Sequence, residues 1–138
     1  MPALDRYHDT VADALRKDGW TITHNPLRLT MGERNLLVDL GAERLIGAEK
    51  GVRKIAVEVK TFGSPSPVAD LEKAIGQFVL YADVLAEVEP ERELYLAVPE
   101  EAFQTIFTEP IGLMVLQRHL RRVLRFSSTQ SEVVQWMP

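Results

Sequence analysis

The fold of this chain is decided by Ala56-Val57-Glu58-Val59-Lys60, which follows Val38-Asp39-Leu40 after a short hairpin. Apolar and β-branched residues dominate both stretches, which is typical of strands. Side chains alternate between the two faces of a strand, so Glu58 and Lys60 leave the same face. We therefore expect Asp39, late in one strand, to approach Glu58 and Lys60 where the two neighbouring strands splay.

Hydrophobic periodicity on either side of this strand pair predicts the remaining elements. Apolar residues spaced three and four apart indicate helices, here over residues 3–18, 67–87 and 100–119, the last broken near Pro110-Ile111-Gly112. Short alternating or continuous apolar runs indicate strands, here at residues 20–23, 27–30, 36–49, 54–61, 93–98, 123–126 and 132–136. This order predicts an α/β domain with a central mixed β-sheet flanked by helices.

Local residues mark several boundaries of these elements. Gly19 is placed as a C-cap of the first helix, and Ser66-Pro67 as the N-cap and first helical position of the second. Gly41 and Gly47 mark a bulge or bend in the long strand 36–49. Residues 50–53 are expected to form the hairpin loop that leads into the next strand.

The bulk composition predicts one domain, residues 1–138, with a core of its own. Apolar residues make up 46% of the 138 residues, and there is no cysteine. Disulfides, thiolate metal sites and cysteine nucleophiles are thereby excluded. No apolar run approaches the roughly 20 residues that cross a bilayer, and residues 1–5 do not have the pattern of a signal peptide. We expect a cytoplasmic protein without a membrane segment.

The charge balance argues against a protein that binds duplex DNA tightly on its own. The formal net charge is −4, whereas such a protein carries a basic stripe that replaces the counterions of the phosphates. Contact with DNA is therefore expected to be local, weak or helped by a partner. The sequence does not fix the oligomeric state, and a homo-oligomer stays among the options.

The carboxylates of Asp39 and Glu58 predict a divalent-metal site for phosphodiester chemistry. Hard oxygen ligands suit Mg²⁺ or Mn²⁺, and a bound metal lowers the pKa of a water molecule and stabilises developing negative charge. Lys60 supplies the cation that faces the phosphate. The carbonyl of Val59 is a further metal ligand if the strand flares there.

Two plainer interpretations compete with the metal site. A Glu-x-Lys on a strand face is common, and an exposed pair of this kind needs no function. The polar cluster could also be a buried ion-pair network, which is weak evidence of function by itself. Gln77 and Tyr81, four residues apart on one helix face, favour a site, since both side chains can bind a phosphate, a base edge or a metal-bound water.

Together these residues resemble the PD-(D/E)xK nuclease superfamily. Its hallmark is an Asp followed by Glu/Asp-x-Lys on neighbouring strands, and some branches add Gln-x-x-x-Tyr on the next helix. The matching residues here are Asp39, Glu58, Lys60, Gln77 and Tyr81. The resemblance implies a restriction-endonuclease-like fold and a Mg²⁺- or Mn²⁺-dependent endonuclease that acts on DNA.

Many members of that superfamily carry a further Glu on the first helix. The corresponding position here is His8, which departs from the pattern but can ligate a metal or act as a base. Asp9 is a neighbouring carboxylate that could serve instead. Glu43 could also supplement the site, although a regular strand carries it about 13 Å from Asp39. These three residues are weaker candidates than the triad.

The resemblance extends over essentially the whole chain to the XisH family. It is carried by residues 7–9, 17–20, 38–43, 54–60, 76–77, 94–99 and 135–136. XisH proteins are cyanobacterial controlling factors for excision of the fdxN DNA element during heterocyst differentiation. The resemblance implies this role in DNA rearrangement, alongside a site-specific recombinase and a small XisI partner.

Two functional hypotheses follow from the sequence. In the first, the chain is an excision controlling factor that also cleaves DNA, with Asp39, Glu58 and Lys60 as catalytic residues. In the second, the nuclease fold is retained as an inactive adaptor that binds the XisI partner or the recombinase. The acidic balance suits a protein partner, and the complete triad favours chemistry.

Overall fold

A computed structural model of the chain describes residues 6–47 and 51–138. Five consecutive strands separate the first two helices, and the remaining helices lie between the later strands. The strands are β1 Thr21–His24, β2 Leu27–Met31, β3 Arg34–Val38, β4 Leu40–Gly47, β5 Gly51–Val59, β6 Arg92–Pro99, β7 Val123–Ser127 and β8 Glu132–Met137. The helices are α1 His8–Lys17, α2 Pro67–Val88, α3 Glu100–Ile106 and α4 Pro110–Arg118.

The sheet is mixed, as the sequence predicts. Six strands lie in the order β1-β4-β5-β6-β7-β8, and β2 pairs with β3 in a separate two-stranded sheet. The pairs β5–β6 and β6–β7 are parallel and the other pairs are antiparallel. Parallel neighbours need a long connection, which α2 provides between β5 and β6, and α3 with α4 between β6 and β7.

Strand β5 lies between two apolar cores because its side chains alternate between faces. Ala56 packs with the cluster that contains α2 and the β2–β3 sheet. Ile55, Val57 and Val59 pack with the cluster that contains α1. Helices therefore cover both faces of the sheet, which confirms the predicted α/β arrangement. No helix of the described ranges is long and apolar enough to cross a membrane.

The helix boundaries confirm two of the sequence signals and correct one. Gly19 has a φ of 93°, and the amides of Gly19 and Trp20 close the helix end on the carbonyls of Arg16 and Leu15 at 3.1 and 3.0 Å, a Schellman motif. The Ser66 hydroxyl caps α2 by accepting from the amide of Ala69 at 3.2 Å. Helix α1 begins at His8, later than predicted, after a turn at residues 6–7; residues 3–5 lie outside the described ranges.

The prediction of one long strand over residues 36–49 is wrong, because this stretch forms two strands. β3 ends at Val38 and pairs with β2, whereas β4 begins at Leu40 in the main sheet. Asp39 is the residue between them. The predicted bend at Gly47 is confirmed by a register shift between Leu45 and Gly47; residues 48–50 lie outside the described ranges.

The hairpin loop predicted at residues 50–53 is also corrected. Residues 51–53 belong to β5 and pair with β4, with Val52 opposite Leu45 and Arg53 opposite Arg44. Cross-strand pairing outweighs the weak strand preference of this Gly-containing segment. Gly41, the other predicted bend, stands opposite His24, where the pairing of β1 with β4 shifts register.

The C-terminal helical region is interrupted earlier than predicted. The break falls at residues 107–109, and Pro110 opens α4 instead of breaking a helix, since Pro is well tolerated at the first helical position. Gly112 allows α4 to pack closely against the end of α3, because a Cβ at this position would lie 2.0 Å from the carbonyl oxygen of Ile106. β7 and β8 then form the predicted terminal hairpin.

Candidate metal site

Two carboxylates lie at the junction between β3 of the small sheet and β4 of the main sheet. The ladder between β4 and β5 begins at the pair Leu40 and Val57, so the next positions, Asp39 and Glu58, lack that backbone pairing. Their side chains replace it. The Asp39 Oδ2 accepts a hydrogen bond from the amide of Val59 at 2.8 Å, and the Glu58 Oε1 accepts one from the amide of Asp39 at 3.2 Å.

These two hydrogen bonds explain why the carboxylates stay together in an apolar environment. Buried backbone amides need an acceptor, and each carboxylate supplies one to the opposite strand. One oxygen of each carboxylate is thereby oriented by the backbone. The structure thus places Asp39 beside Glu58, as the sequence predicts, and shows the amide of Val59 in direct contact with Asp39. A metal-ligating role of the Val59 carbonyl stays a prediction.

Lys60 extends from the end of β5 toward the same pair. Its Nζ lies 3.7 Å from the Oε2 of Glu58, and its side chain is 19% exposed. The amide of Lys60 continues the parallel pairing by donating to the carbonyl of Ala97 at 2.9 Å. The backbone is therefore held while the ammonium group stays accessible, which suits a cation that meets a charged ligand.

The electrostatics of the pair favour an added positive charge. Burial and the carboxylate of Asp39 raise the pKa of Glu58 from 4.5 to about 7, and the ammonium of Lys60 offsets part of this rise. The Glu58 residue is only 7% exposed. Two carboxylates in a poorly solvated place are unfavourable when both are ionised, and a divalent cation would remove this penalty.

Helix α2 brings Gln77 and Tyr81 to the carboxylates. Burial, then the charges of Glu58 and Asp39, raise the pKa of the Tyr81 hydroxyl, and a hydrogen bond with Gln77 opposes the rise. The Oε1 of Gln77 is buried and has no hydrogen-bond partner among the described residues. Tyr81 therefore lies near the carboxylates and beside Gln77, and the role of both residues in a site stays a prediction.

His8 is the first residue of α1. It is 3% exposed, and its Nε2 lies 2.7 Å from the Oδ1 of Asn25. Its Nδ1 faces the Oδ1 of Asp39 at 4.0 Å. Asn25 was not foreseen as a site residue, because an Asn before a Pro is an ordinary turn residue and no other signal marks it.

The other two weaker candidates are not brought to the carboxylates. Glu43 stands opposite Lys54, with 4.0 Å between Oε1 and Nζ, four residues along β5 from Glu58. Asp9 is exposed and lies on another side of α1 from His8, since successive helical residues are rotated by about 100°. Within residues 6–47 and 51–138, no three His, Cys, Asp or Glu side chains already form a metal-binding group.

A cleft of about 180 Å³ opens beside Lys60. It is lined by Lys60, Thr61, Phe62, Gly63, Asp70 and Lys73. Phe62 turns the chain there with a φ of 57°, an uncommon conformation for a bulky residue. Lys73 was not foreseen, although it precedes Gln77 by four residues and so shares its helix face. The cleft brings a second cation next to the candidate site.

Comparisons with known proteins find relatives that cover nearly the whole chain. The family model described as XisH protein matches residues 1–134. The crystal structure of an XisH family protein from Nostoc punctiforme PCC 73102 is 37% identical, covers 97% of this chain and 100% of that chain, and superposes with a TM-score of 0.87. That of an fdxN element excision controlling factor protein from Anabaena variabilis is 38% identical, covers 96% and 98%, and has a TM-score of 0.86. Comparison with the curated proteins gave no match.

Proposed function

The chain belongs to the XisH family, and from this premise we propose that it controls the excision of a DNA element and cleaves DNA at the Asp39–Glu58 site. A neighbour of 38% identity is named an fdxN element excision controlling factor, which supports the first part. The second part assigns the chain a restriction-endonuclease-like fold of the PD-(D/E)xK type. Mg²⁺ or Mn²⁺ is the proposed cofactor.

One observation carries the nuclease proposal. Asp39 and Glu58 are held together by reciprocal hydrogen bonds to the backbone of opposite strands, and burial with mutual repulsion raises the pKa of Glu58 to about 7. A purely structural ion pair would be expected to relieve this repulsion, yet Lys60 offsets it only in part. A site that retains such a cost is a candidate for function.

The chemistry of the two carboxylates suits the proposed cofactor. Asp39 and Glu58 supply hard oxygen ligands, and the buried Nδ1 of His8, which has no hydrogen-bond partner among the described residues, faces Asp39. A divalent ion held there would lower the pKa of a water molecule and stabilise charge on the phosphate. The Val59 carbonyl is a further proposed ligand.

The remaining residues would orient the phosphodiester. Lys60, 3.7 Å from Glu58, would stabilise the added negative charge as water adds to phosphorus. The bond from phosphorus to the sugar oxygen then breaks, and that oxygen takes up a proton. Gln77 and Tyr81 would bind the phosphate or a base edge, and Lys73 in the adjoining cleft would meet the next phosphate along the strand.

Nicking of supercoiled plasmid tests the proposal. Full-length chain with Mg²⁺ or Mn²⁺, with and without a XisI-type partner, is expected to open the plasmid. Lys60→Met should slow the reaction about 100-fold or more, as expected for loss of a charge-stabilising group. Lys54→Met is the matched control on the same strand, since Lys54 pairs with Glu43 away from the site. If neither wild type nor Lys60→Met nicks the plasmid with the partner present, the proposal of nuclease activity is wrong.

A specific observation favours a second candidate, an adaptor without catalysis. A groove of about 260 Å³ between α4 and the terminal hairpin is lined largely by apolar residues, among them Leu113, Leu116 and Met137. Leu113 is 47% exposed, and together with the net charge of −4 this suits a protein partner better than bare DNA. We propose a XisI-type protein or the recombinase as that partner.

Excision in cells that require this chain separates the two candidates. Asp39→Asn should abolish excision if cleavage is needed and leave it intact if the chain is an adaptor. Leu113→Glu should abolish excision in the adaptor case, because a charge in the apolar groove opposes docking. Gln130→Glu, at an exposed position of the turn between β7 and β8, is the control for added surface charge.

A further inference from the structure

Residues 61–63, which follow β5, line two clefts. One, the lysine cleft, has a volume of about 180 Å³ and contains Lys60 and Lys73. The other, the α3 cleft, has a volume of about 310 Å³ and is lined by residues 61–63 together with Pro99 and residues of α3. This volume is at the lower end of the range of roughly 300–1,000 Å³ for pockets that bind small molecules. Because the clefts share three residues, a ligand held at Lys60 lies next to the α3 cleft.

Planar side chains line the α3 cleft, among them Arg6, Tyr7 and Phe62. The guanidinium of Arg6 lies 4.8 Å from the centre of the Tyr7 ring, and this ring meets Phe126 edge-on with centroids 5.9 Å apart. The ring of Phe62 meets Phe107 in the same way at 5.3 Å. Aromatic rings and guanidinium planes are the surfaces on which unpaired bases stack. The cleft therefore offers platforms that the core holds in place.

The fold holds Phe62 in a conformation that a bulky residue rarely adopts. Its φ is 57°, in the left-handed region. Such conformations persist where the surrounding structure holds them, and they cluster at ligand sites. Helix α2 holds the same loop, because the Oδ2 of Asp70 accepts a hydrogen bond from the amide of Ser64 at 3.3 Å.

The two clefts differ in charge. The lysine cleft has two cations and one carboxylate, which suits a phosphate. The α3 cleft is mostly apolar, with one cation, Arg6, and one carboxylate, Glu101. The Ser128 hydroxyl orients that carboxylate by donating to its Oε1 at 2.8 Å, and Oε2 has no hydrogen-bond partner among the described residues. The α3 cleft thus presents an oriented acceptor beside its planar groups.

We propose that the α3 cleft binds the base of an unpaired nucleotide next to the phosphate at Lys60, and that the substrate is DNA that contains unpaired nucleotides. The inference rests on the proposed nuclease function and adds the substrate class. A base inside a duplex is paired and stacked, and it reaches a protein cleft only after extrusion, which costs free energy. An unpaired base avoids most of this cost.

The charge of the chain agrees with this substrate. A net charge of −4 does not suit a long track of duplex phosphates, whereas stacking of a base adds affinity without further cations. Glu101 favours a base with an exocyclic amino group, such as cytosine. Thymine presents the acceptor O4 at the corresponding place.

Equilibrium binding of three labelled probes of about 15 nucleotides tests the base cleft. The probes are a single strand of mixed sequence, its duplex, and an abasic chain of sugar and phosphate. A chelator is present, so that neither a metal nor cleavage contributes. The full chain is expected to bind the single strand about tenfold or more tighter than either other probe. Equal affinity for the single strand and the abasic chain would overturn the proposal.

Thr105→Phe assigns the base to the α3 cleft. Thr105 is exposed and lines this cleft but not the lysine cleft, so a ring there fills the space. The variant should lose the preference for the single strand and keep its affinity for the duplex. Thr108→Phe is the matched control, because both hydroxyls donate to the carbonyl four residues earlier at 2.8 Å. A preference kept in Thr105→Phe would overturn the assignment.

Single strands of cytosine and of thymine test the role of Glu101. Wild type should bind the cytosine strand about fivefold tighter. Glu101→Gln should bring the two affinities within about twofold, because an amide also donates to the O4 of thymine. Glu109→Gln, at an exposed position, should behave as wild type. Equal binding of both strands by wild type would overturn the role of Glu101.

These outcomes are separate from those of the nicking assay. A chain that nicks plasmid but binds the single strand no tighter than the abasic chain would overturn the base cleft and leave the nuclease standing. A preference that is lost in Thr105→Phe, in a chain that does not nick, would support the base cleft and overturn the nuclease. The wild-type probes decide the question even if a variant fails to fold.

Discussion

The carboxylate of Asp39 accepts a hydrogen bond from the amide of Val59 at 2.8 Å, so one side chain closes the gap between two strands. The bond stands where a backbone ladder would otherwise continue past Leu40 and Val57. Asp39 therefore has a structural role, since it accepts a hydrogen bond from a buried amide, and a proposed role as a metal ligand. The two roles can be tested separately by different substitutions.

Two substitutions of Asp39 separate its structural role from its proposed metal-binding role. Asp39→Ala leaves the buried amide of Val59 without an acceptor, so we expect a loss of about 1–3 kcal/mol in the free energy of unfolding. Asp39→Asn keeps an acceptor oxygen and removes the repulsion with Glu58, so its stability should equal or exceed that of wild type. Urea unfolding measures both, and equal losses in the two variants would contradict the assigned hydrogen bond.

The raised pKa of Glu58 makes the stability of the metal-free protein depend on pH. The carboxyl titrates at about 7 in the folded state, against 4.5 for an ordinary Glu. Between these values the folded state binds more protons than the unfolded state, so the free energy of unfolding falls as pH rises through this window. The expected loss from this residue is on the order of 3 kcal/mol by pH 8.

Glu58→Gln should remove this dependence. Urea unfolding in the presence of a chelator at pH 5, 6, 7 and 8 is expected to give a flatter profile and a more stable variant above pH 7. Glu72→Gln, at an exposed position of α2, serves as the control and should retain the wild-type profile. Parallel profiles for wild type and Glu58→Gln would refute the assignment.

Gln77 is expected to matter more for binding than for stability. Gln77→Met, of similar shape, removes a buried acceptor without a partner, which costs free energy, and it also removes the hydrogen bond with Tyr81, which stabilises by a similar amount. The free energy of unfolding should therefore stay within about 1 kcal/mol of wild type, while the KM for DNA rises several-fold because a proposed contact is lost. Gln117→Met at an exposed position of α4 should alter neither quantity, and an unchanged KM for Gln77→Met would contradict the proposed contact.

Two glycines in helices should respond oppositely to alanine. A Cβ at Gly76 meets nothing within 4 Å, so Gly76→Ala should stabilise α2 by about 0.5–1 kcal/mol. A Cβ at Gly112 would lie 2.0 Å from the carbonyl oxygen of Ile106, so Gly112→Ala should cost about 3 kcal/mol or more. Thermal unfolding of the pair measures the difference, and a stable Gly112→Ala would show that α3 and α4 do not pack this closely.

The part of the site that lies on β5 could be predicted because a strand has a strict period of two. That period alone places Glu58 and Lys60 on one face. The strand break at Asp39 could not be predicted, because the apolar run from Leu36 to Leu40 contains no Gly or Pro to mark it. The change of partner strand is decided by tertiary pairing, which a local pattern does not record.

The contacts of His8 also depend on tertiary structure and could not be predicted from a local sequence pattern. Its partner Asn25 lies 17 residues away in sequence and is positioned by the pairing of β1 with β4. The apolar face of α1 predicts that His8 is buried. Nothing in the local sequence predicts which ring nitrogen has a hydrogen-bond partner. Lys73 is the opposite case, since its helical spacing from Gln77 was available in the sequence.

The reciprocal bonds at the strand junction also give the molecule a pair of internal spectroscopic probes. The amide protons of Asp39 and Val59 are each bound to a carboxylate oxygen, where most protons of a sheet are bound to carbonyls. Their nuclear magnetic resonance shifts therefore follow the charge on Glu58 and Asp39, one amide for each carboxylate. Protonation and cation uptake at the two groups can be followed separately, without a label and without turnover.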